Sequence, residues 1–545
     1  MNLLMLNDLT VDFLRQQGGS EPVRPQSKTI QIDVWERNPY PGKHLLCLFS
    51  RAVTRVFSPF FPMITFRSFS HSRPSRLVLT SLLAVASLTY LEAKPPNLIL
   101  IFCDDLGYGD LSCYGGKGQQ TPAIDSISRD GVRFTDFYSS SPVCTPSRSS
   151  LMTGCYAQRV GMQEDFTGHW VLIPRSRRGL DPEEVTLAEA LKAEGYATAC
   201  IGKWHLGDQP EHLPTKHGFD RYFGIPYSND MQSKGRGDPP LPLLDQVKVI
   251  NAPVDQVTLT KRYTEQVVSF IEEKKDQPFF VYLPHTFPHL PLFATEPFLE
   301  KSQNGKYGAT VLEIDDSTDK ILKTLARLNL EKNTLVIFTS DNGSNGHNGG
   351  SNAPLSGRKG TTMEGGMRVP FVARWPGKIQ AGTVCKELAM TMDILPTFMG
   401  LVTGKPWNSA RPIDGKDIKS LLMGEADAAT PHEAFFYYRR NQLQAVRSGP
   451  WKYHLPLEKT YPAWDFNTKT GKRREGKLVN LDDDLKESTD LTNQYPEIVA
   501  KLKALAGKVT AELGAPQKKG SHQRSPSDVD SPVPQVLSTR NPAPR

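Results

Sequence analysis

The sequence predicts an α/β fold: a large mixed, mostly parallel sheet flanked by helices, followed by a small C-terminal α+β subdomain with an antiparallel sheet. Three observations carry this prediction. Continuous apolar runs end abruptly in polar clusters, the pattern of strands buried on both faces. Helical patterns lie between those runs, and strands alternating with helices build parallel sheets. Beyond about residue 430 the pattern changes to short, closely spaced strands rich in aromatic residues.

The first segment to justify is the N-terminal one. Leu77 to Leu91 is apolar and uncharged, with Arg67, Arg73 and Arg76 before it and Ala93 just after it. A basic flank, a short apolar run and a small residue describe a secretory signal. The expectation is a start at Met63, cleavage near Ala93, and a secreted or periplasmic protein, with residues 1–93 as extension plus signal. A buried core helix is the alternative. The run falls short of the ~20 residues that a stable membrane span needs.

After Pro95 the run Asn97 to Phe102 stops at Asp104-Asp105. Phe279 to Leu283 stops at His285, and Leu335 to Thr339 stops at Asp341-Asn342-Gly343. Thr186 to Glu194 reads as a helix stopped by Gly195. Val311 to Leu328 carries apolar residues at helical spacing. Residues 94–430 are therefore expected to form the catalytic domain. In residues 431–515, Phe435 to Tyr438, Gln444 to Arg447, Trp451 to His454 and Leu478 to Asp482 read as strands. Glu497 to Leu513 reads as a closing helix. Residues 516–545, rich in Pro, Ser and charge, are expected to be a disordered tail.

Ligands of parallel α/β sheets bind beyond the carboxyl ends of the strands. If the three apolar strands are neighbours, their polar ends converge on one crevice. Asp104, Asp105, Asp341 and Asn342 would then repel one another unless a cation held them. An oxygen-only set suits a hard ion, calcium or magnesium, over zinc. Helix caps and turns are the alternative use of such residues.

Composition excludes several classes. The net charge of +7, from 65 basic and 58 acidic residues, is small for 545 residues. No dense basic stripe accompanies it, so no nucleic-acid partner is expected. The seven cysteines are too few and too irregular for a disulfide-built scaffold.

The most specific motif is Cys144-Thr-Pro-Ser-Arg148 followed by Ser149-Ser-Leu-Met-Thr-Gly154. It resembles the signature C-x-P-S-R-x-x-x-x-T-G of the formylglycine-dependent sulfatases. Gly202-Lys-Trp-His-Leu-Gly207 is similar to the family's G-K-W-H-L-G, and Gly357 to Gly366 to its G-x-K-G-x-x-x-E-G-G. Gly218 to Asp230 resembles the arylsulfatase A branch. The likeness spans roughly residues 95–515 and implies an alkaline phosphatase-like fold. The low cysteine content departs from lysosomal relatives and favours a bacterial exported enzyme.

The resemblance also implies roles. A formylglycine-generating enzyme would oxidise Cys144 to an aldehyde whose hydrate attacks sulfur. Asp104, Asp105, Asp341, Asn342 and residue 144 would hold calcium, with magnesium possible. Arg148, Lys203 and Lys359 would grip the sulfate, and Ser228 would help. His205 would take a proton during sulfate release. His285, with Lys359, would protonate the leaving alcohol. His285 is preferred to His289 because it falls at the strand end. The expected substrate is a sulfated small molecule or glycan. Met231 to Pro242 and the Trp407 region are expected walls of the crevice. The alternatives are a phosphodiesterase or phosphonate hydrolase of the same superfold, and a non-catalytic binder of sulfated glycans.

Overall fold

The computed structural model describes residues 94–459 and 473–537. Met63, the Leu77–Leu91 run and Ala93 lie outside the described residues. Asn97–Cys103 sits near the middle of a ten-stranded sheet. Thr334–Ser340 lies on one side of it in parallel, with Asn97 opposite Thr334 and Cys103 opposite Ser340. Phe279–Pro284 lies parallel on the other side, with Phe102 opposite Pro284. Ala197–Ile201 and then Arg221–Gly224 continue the parallel set. Antiparallel neighbours flank this parallel set: Phe371–Arg374 against Thr334–Ser340, and Leu243–Asp245 against Arg221–Gly224. The sheet is thus mixed, with a parallel centre.

Period-two alternation explains the unbroken apolar runs. Leu98, Leu100 and Phe102 face one core, while Ile99, Ile101 and Cys103 face the other. Each such side chain contributes about 1.5–3 kcal/mol by leaving water. Helices Leu259–Lys274 and Gly305–Arg327 cover one face through Val267, Ile271, Ile314 and Ile321. Helices Cys144–Thr153, Leu187–Ala193 and Ile394–Thr403 cover the other through Leu151, Leu187, Leu191 and Leu395. Leu187–Ala193 starts at a capping box. Thr186 Oγ1 accepts the Glu189 N–H, and Glu189 Oε2 accepts the Thr186 N–H.

The C-terminal strands Phe435–Arg439, Gln442–Ser448, Trp451–His454 and Lys477–Asn480 form an antiparallel sheet in that order. Helix Pro496–Leu513 packs on it through Val499, Leu502, Ala506 and Val509. Tyr138, Met367 and Met392 of the large domain share this core.

The expected disordered tail is corrected over its described part. Ser527–Asp528 pairs antiparallel with Arg178–Gly179. Arg524 reaches the buried Glu184 at 2.6 and 2.8 Å. Val533 N–H donates to Gln209 Oε1, and Gln535 Nε2 to Asp208 O, both at 2.8 Å. Composition misleads here because these anchors are polar, not apolar. Residues 538–545 lie outside the described residues. Among the described residues, no helix is long and apolar enough to cross a membrane.

Candidate active site

The parallel register brings the predicted strand ends together. Asp104 and Asp105 follow the central strand, with Asp341 and Asn342 beside them. The Asp105 N–H donates to Asp341 Oδ1 at 3.1 Å. Asp105 adopts a left-handed backbone conformation (φ 65°), and so does His205 (φ 63°). Such conformations are costly for residues with a Cβ and cluster at functional sites. Cys144 opens a helix whose ten residues are all buried. Its thiol donates to Asp104 Oδ1 at 3.1 Å. Burial, with Asp104 and Asp341 adding to it, pushes that thiol well up. A thiol pushed in that direction is a weaker nucleophile.

Three cations face the three carboxylates. Lys203 Nζ donates to Asp104 Oδ2, and to Ser228 Oγ at 3.1 Å. Lys359 Nζ donates to Asp105 at 2.7 Å. Arg148 holds Asp341 Oδ2 at 2.9 Å and donates to the Lys203 carbonyl at 2.9 Å. Burial alone would raise the Asp104 carboxyl, but Lys203, His289, Arg148 and Lys359 outweigh it and hold Asp104 well below its usual range. Burial and the neighbouring Asp104 push Asp341 up to about 7.

The clustered side chains could hold a metal ion. Atoms of Asp104, Asp105, Cys144 and His289 lie within 4.8 Å of one another. Asn342 Nδ2 donates to Asp105 Oδ1 at 2.8 Å, which leaves Asn342 Oδ1 buried without a hydrogen-bond partner. An unused amide oxygen beside clustered carboxylates is what a calcium or magnesium site offers.

The histidines divide differently from the sequence reading. His205 Nε2 lies 2.9 Å from the Leu172 carbonyl, while Nδ1 has no hydrogen-bond partner. Burial and then Lys203 hold this imidazole well below its usual value, so it is neutral. His285 is buried and lies outside both the cavity lining and the cluster around Asp105. Its backbone N–H donates to Phe102 O at 2.9 Å, continuing the strand pairing. Its ring is buried, and burial drives it down to about 3. His289 instead joins that cluster and lines the cavity. Its Nε2 stands 3.8 Å from Asp105 Oδ2, and its Nδ1 lies 3.1 Å from Asn229 Oδ1. The strand ends at residue 284 as expected, but the segment beyond it turns back and lays His289 over Asp105.

A cavity of about 950 Å³ opens over these groups. Asp105, Cys144, His205, Ser228, His289 and Lys359 line it, with Trp170, Ile173, Arg175 and Pro291 further round. Met231, Arg236 and Asp238 confirm the expected wall in residues 231–242. The Trp407 region is not a wall; Trp407 packs against the large core. Asp104, Arg148, Lys203, Asp341 and Asn342 stand behind the cavity surface. From there Arg148 braces Asp341 and the Lys203 segment.

Sequence reasoning missed a buried network behind Lys359. Glu487 Oε1 accepts the Glu364 N–H at 2.7 Å and the Ser356 hydroxyl at 2.9 Å. Lys452 Nζ lies 2.9 Å from both Glu364 and Glu487. His454 Nε2 lies 2.7 Å from Glu487. These contacts tie both ends of the 356–364 loop, which carries Lys359, to the C-terminal sheet. The available signal was the alternation in Trp451-Lys-Tyr-His454, which turns Lys452 and His454 to one face.

Comparison with known proteins agrees with this geometry. The Sulfatase family model matches residues 96–404, and a model described as C-terminal region of aryl-sulfatase matches residues 430–534. Arylsulfatase A of Homo sapiens is 40% identical over 403 residues, covering 69% of this chain and 78% of that one. N-acetylgalactosamine-6-sulfatase of Rattus norvegicus is 38% identical over 407 residues, covering 70% and 76%. The solved PsFucS1 sulfatase from Pseudoalteromonas sp. superposes with a TM-score of 0.67 at 27% identity, covering 80% of this chain and 94% of that one. The chain belongs to the sulfatase family and is a sulfuric ester hydrolase.

Proposed function

We propose that the chain removes sulfate from carbohydrate or aryl sulfate esters after a formylglycine-generating enzyme has matured Cys144. Calcium, with magnesium as the alternative, would be held by Asp104, Asp105, Asp341, Asn342 and residue 144. The convergence of Cys144, Asp104, Asp105 and His289 within 4.8 Å, beside a large cavity, carries this proposal. The raised thiol pKa supports it too, since an unmodified Cys144 is a poor nucleophile. In the mature enzyme the formylglycine supplies a hydroxyl nucleophile for sulfur, and the ion supplies positive charge against a sulfate oxygen.

The chain's own residues do the rest. Lys203 and Lys359 place fixed positive charge beside Asp104 and Asp105, where the sulfate would lie. Ser228, oriented by Lys203, offers a hydroxyl to the sulfate. His205 presents a neutral Nδ1 able to accept a proton from the group at position 144. His289 and Lys359 stand where a proton can be handed to the leaving oxygen. The sulfate's charge would favour the protonated form of His289. The name of the rat relative, an N-acetylgalactosamine-6-sulfatase, supports a sulfated sugar as substrate. The signal pattern in residues 77–93 supports a secreted or periplasmic location. N-terminal sequencing of native protein tests that point, a mature end near Lys94 being the expected result and recovery of peptides from residues 1–62 the contrary one.

The test of function co-expresses the protein with a formylglycine-generating enzyme, in calcium, and measures inorganic sulfate release. The panel holds an aryl sulfate, sulfated mono- and polysaccharides and a matched aryl phosphodiester. Sulfate release that disappears in Cys144→Ala is the expected result. Turnover of the phosphodiester alone would overturn the proposal in favour of a phosphodiesterase.

A further inference from the structure

We infer that Arg175 forms a second anion subsite in the cavity, which reads a carboxylate or a second sulfate on the sugar unit next to the one losing sulfate. This rests on the sulfatase reading above. The cavity, at about 950 Å³, lies in the range of about 300–1,000 Å³ that encloses a whole drug-sized ligand. Its size leaves room for more than one sulfate group. Trp170, Ile173 and Met231 add apolar surface to the same lining, suited to the faces of sugar rings.

The two arginines of the lining differ in how they are paired. Arg236 donates to Asp238 Oδ2 at 2.8 and 3.1 Å, so its charge is already matched. Arg175 donates to a neutral carbonyl, Gly237 O, at 3.2 Å. Among the described residues no carboxylate stands within ion-pair distance of its guanidinium. A guanidinium with spare donors is built for bidentate capture of a carboxylate or sulfate.

The backbone at Arg175 is held at some cost. Its φ is 62°, a left-handed conformation that a side-chain-bearing residue adopts only when its surroundings impose it. The imposing contact is the buried Asp208, whose Oδ2 accepts the Arg175 N–H at 2.6 Å. Gln209 Nε2 steadies Asp208 Oδ1 at 2.8 Å, and the tail residues Val533 and Gln535 hold Gln209 and Asp208 in turn. An exposed arginine at a cavity wall would not need such bracing to be merely solvated.

The test compares wild type, Arg175→Gln and Arg175→Lys on three substrates: 4-nitrophenyl sulfate, a monosulfated disaccharide with a uronate carboxylate, and a disulfated disaccharide without one. Arg175→Gln should raise KM about tenfold on at least one disaccharide, leave kcat within twofold, and leave the aryl sulfate within twofold. Arg175→Lys should fall between. Which disaccharide responds tells carboxylate from sulfate. Equal changes on all three substrates, or none, would overturn the subsite. Binding is read independently by calorimetry on Cys144→Ala protein, with the uronate disaccharide against its methyl ester and the disulfated disaccharide against its monosulfated form. No preference for the more anionic member in either pair also overturns the subsite, whether or not catalysis is seen. Absence of all sulfate release with the binding preference intact would sink the catalytic reading alone.

Discussion

Replacing Glu487 by glutamine should cost about 3 kcal/mol of stability at neutral pH. Its carboxylate serves two partners on each oxygen. Oε1 accepts the Glu364 N–H and the Ser356 hydroxyl at 2.7 and 2.9 Å. Oε2 stands 2.9 Å from Lys452 and 2.7 Å from His454. The amide of glutamine can keep the first pair of bonds with its oxygen. It must then turn its NH2 toward Lys452, a buried cation with only donors to offer. Removing one partner of a buried pair costs about 3–5 kcal/mol, because the other charge is left behind. The lower figure applies because Glu364 still stands 2.9 Å from Lys452. Burial by itself would raise the Glu487 carboxyl, but Lys452 and His454 outweigh it and hold it far below the ordinary glutamate value. A carboxyl depressed in the folded state contributes stability above its unfolded pKa, about 4.3, and loses it as pH falls below that value. The deficit of Glu487→Gln should therefore be full at pH 7 and shrink as pH falls from about 4.3 toward 3. Urea unfolding of wild type, Glu487→Gln, Lys452→Met and the double variant measures this. The double variant should recover part of the loss, a coupling of at least about 1 kcal/mol. A Glu487→Gln variant within about 0.5 kcal/mol of wild type at pH 7, or singles that simply add, would refute the reasoning.

Three further outcomes follow from the geometry. His289→Ala should lower kcat/KM for sulfate release by about 100-fold or more, the scale of a lost proton donor, while His285→Phe should stay within about fivefold; the reverse order would restore the strand-end histidine. Gly202→Ala should be poorly folded, since its φ is 138° and a Cβ would sit 1.9 Å from the Pro284 carbonyl oxygen; a urea midpoint equal to wild type would contradict this. Ending the chain at residue 515 removes the Arg524–Glu184 contacts and should cost about 2 kcal/mol, the scale of charge-assisted hydrogen bonds to a buried group; an unchanged midpoint would show the tail to be passive.

Legibility in the sequence tracks how local the physics is. The strand Asn97–Cys103 was legible because burial on both faces leaves a continuous apolar run, and its abrupt end at Asp104 marks where chain leaves the sheet. The same logic found Asp341 and Asn342. It did not reach His289, because a strand end fixes backbone position, not the path of the residues beyond it. The contacts that place His289, to Asn229 and near Asp105, come from distant parts of the chain. The Trp407 region was expected as a wall, yet Trp407 packs against the core. The tail failed for the opposite reason. Its composition lacks apolar anchors, while its actual anchors are single polar contacts such as Val533 to Gln209, which composition does not register.

The motif G-x-K-G-x-x-x-E-G-G shows how these levels join. Read as sequence, it offers Lys359 as a cation and leaves Glu364 without a task. In the fold, Glu364 is where the small domain grips the large one: Lys452 and Tyr437 reach it from the C-terminal sheet at 2.9 and 2.8 Å. Five residues after Lys359, the same loop takes the Glu487 contact through the backbone of Glu364, and through Ser356 at its other end. The Lys359 ammonium meets Asp105 at 2.7 Å only if that loop keeps its shape. A flexible four-carbon side chain is a poor means of placing charge unless its base is fixed. The C-terminal subdomain supplies that fixation, so its loss would be felt at Lys359 and Asp105 although none of its described residues lines the cavity.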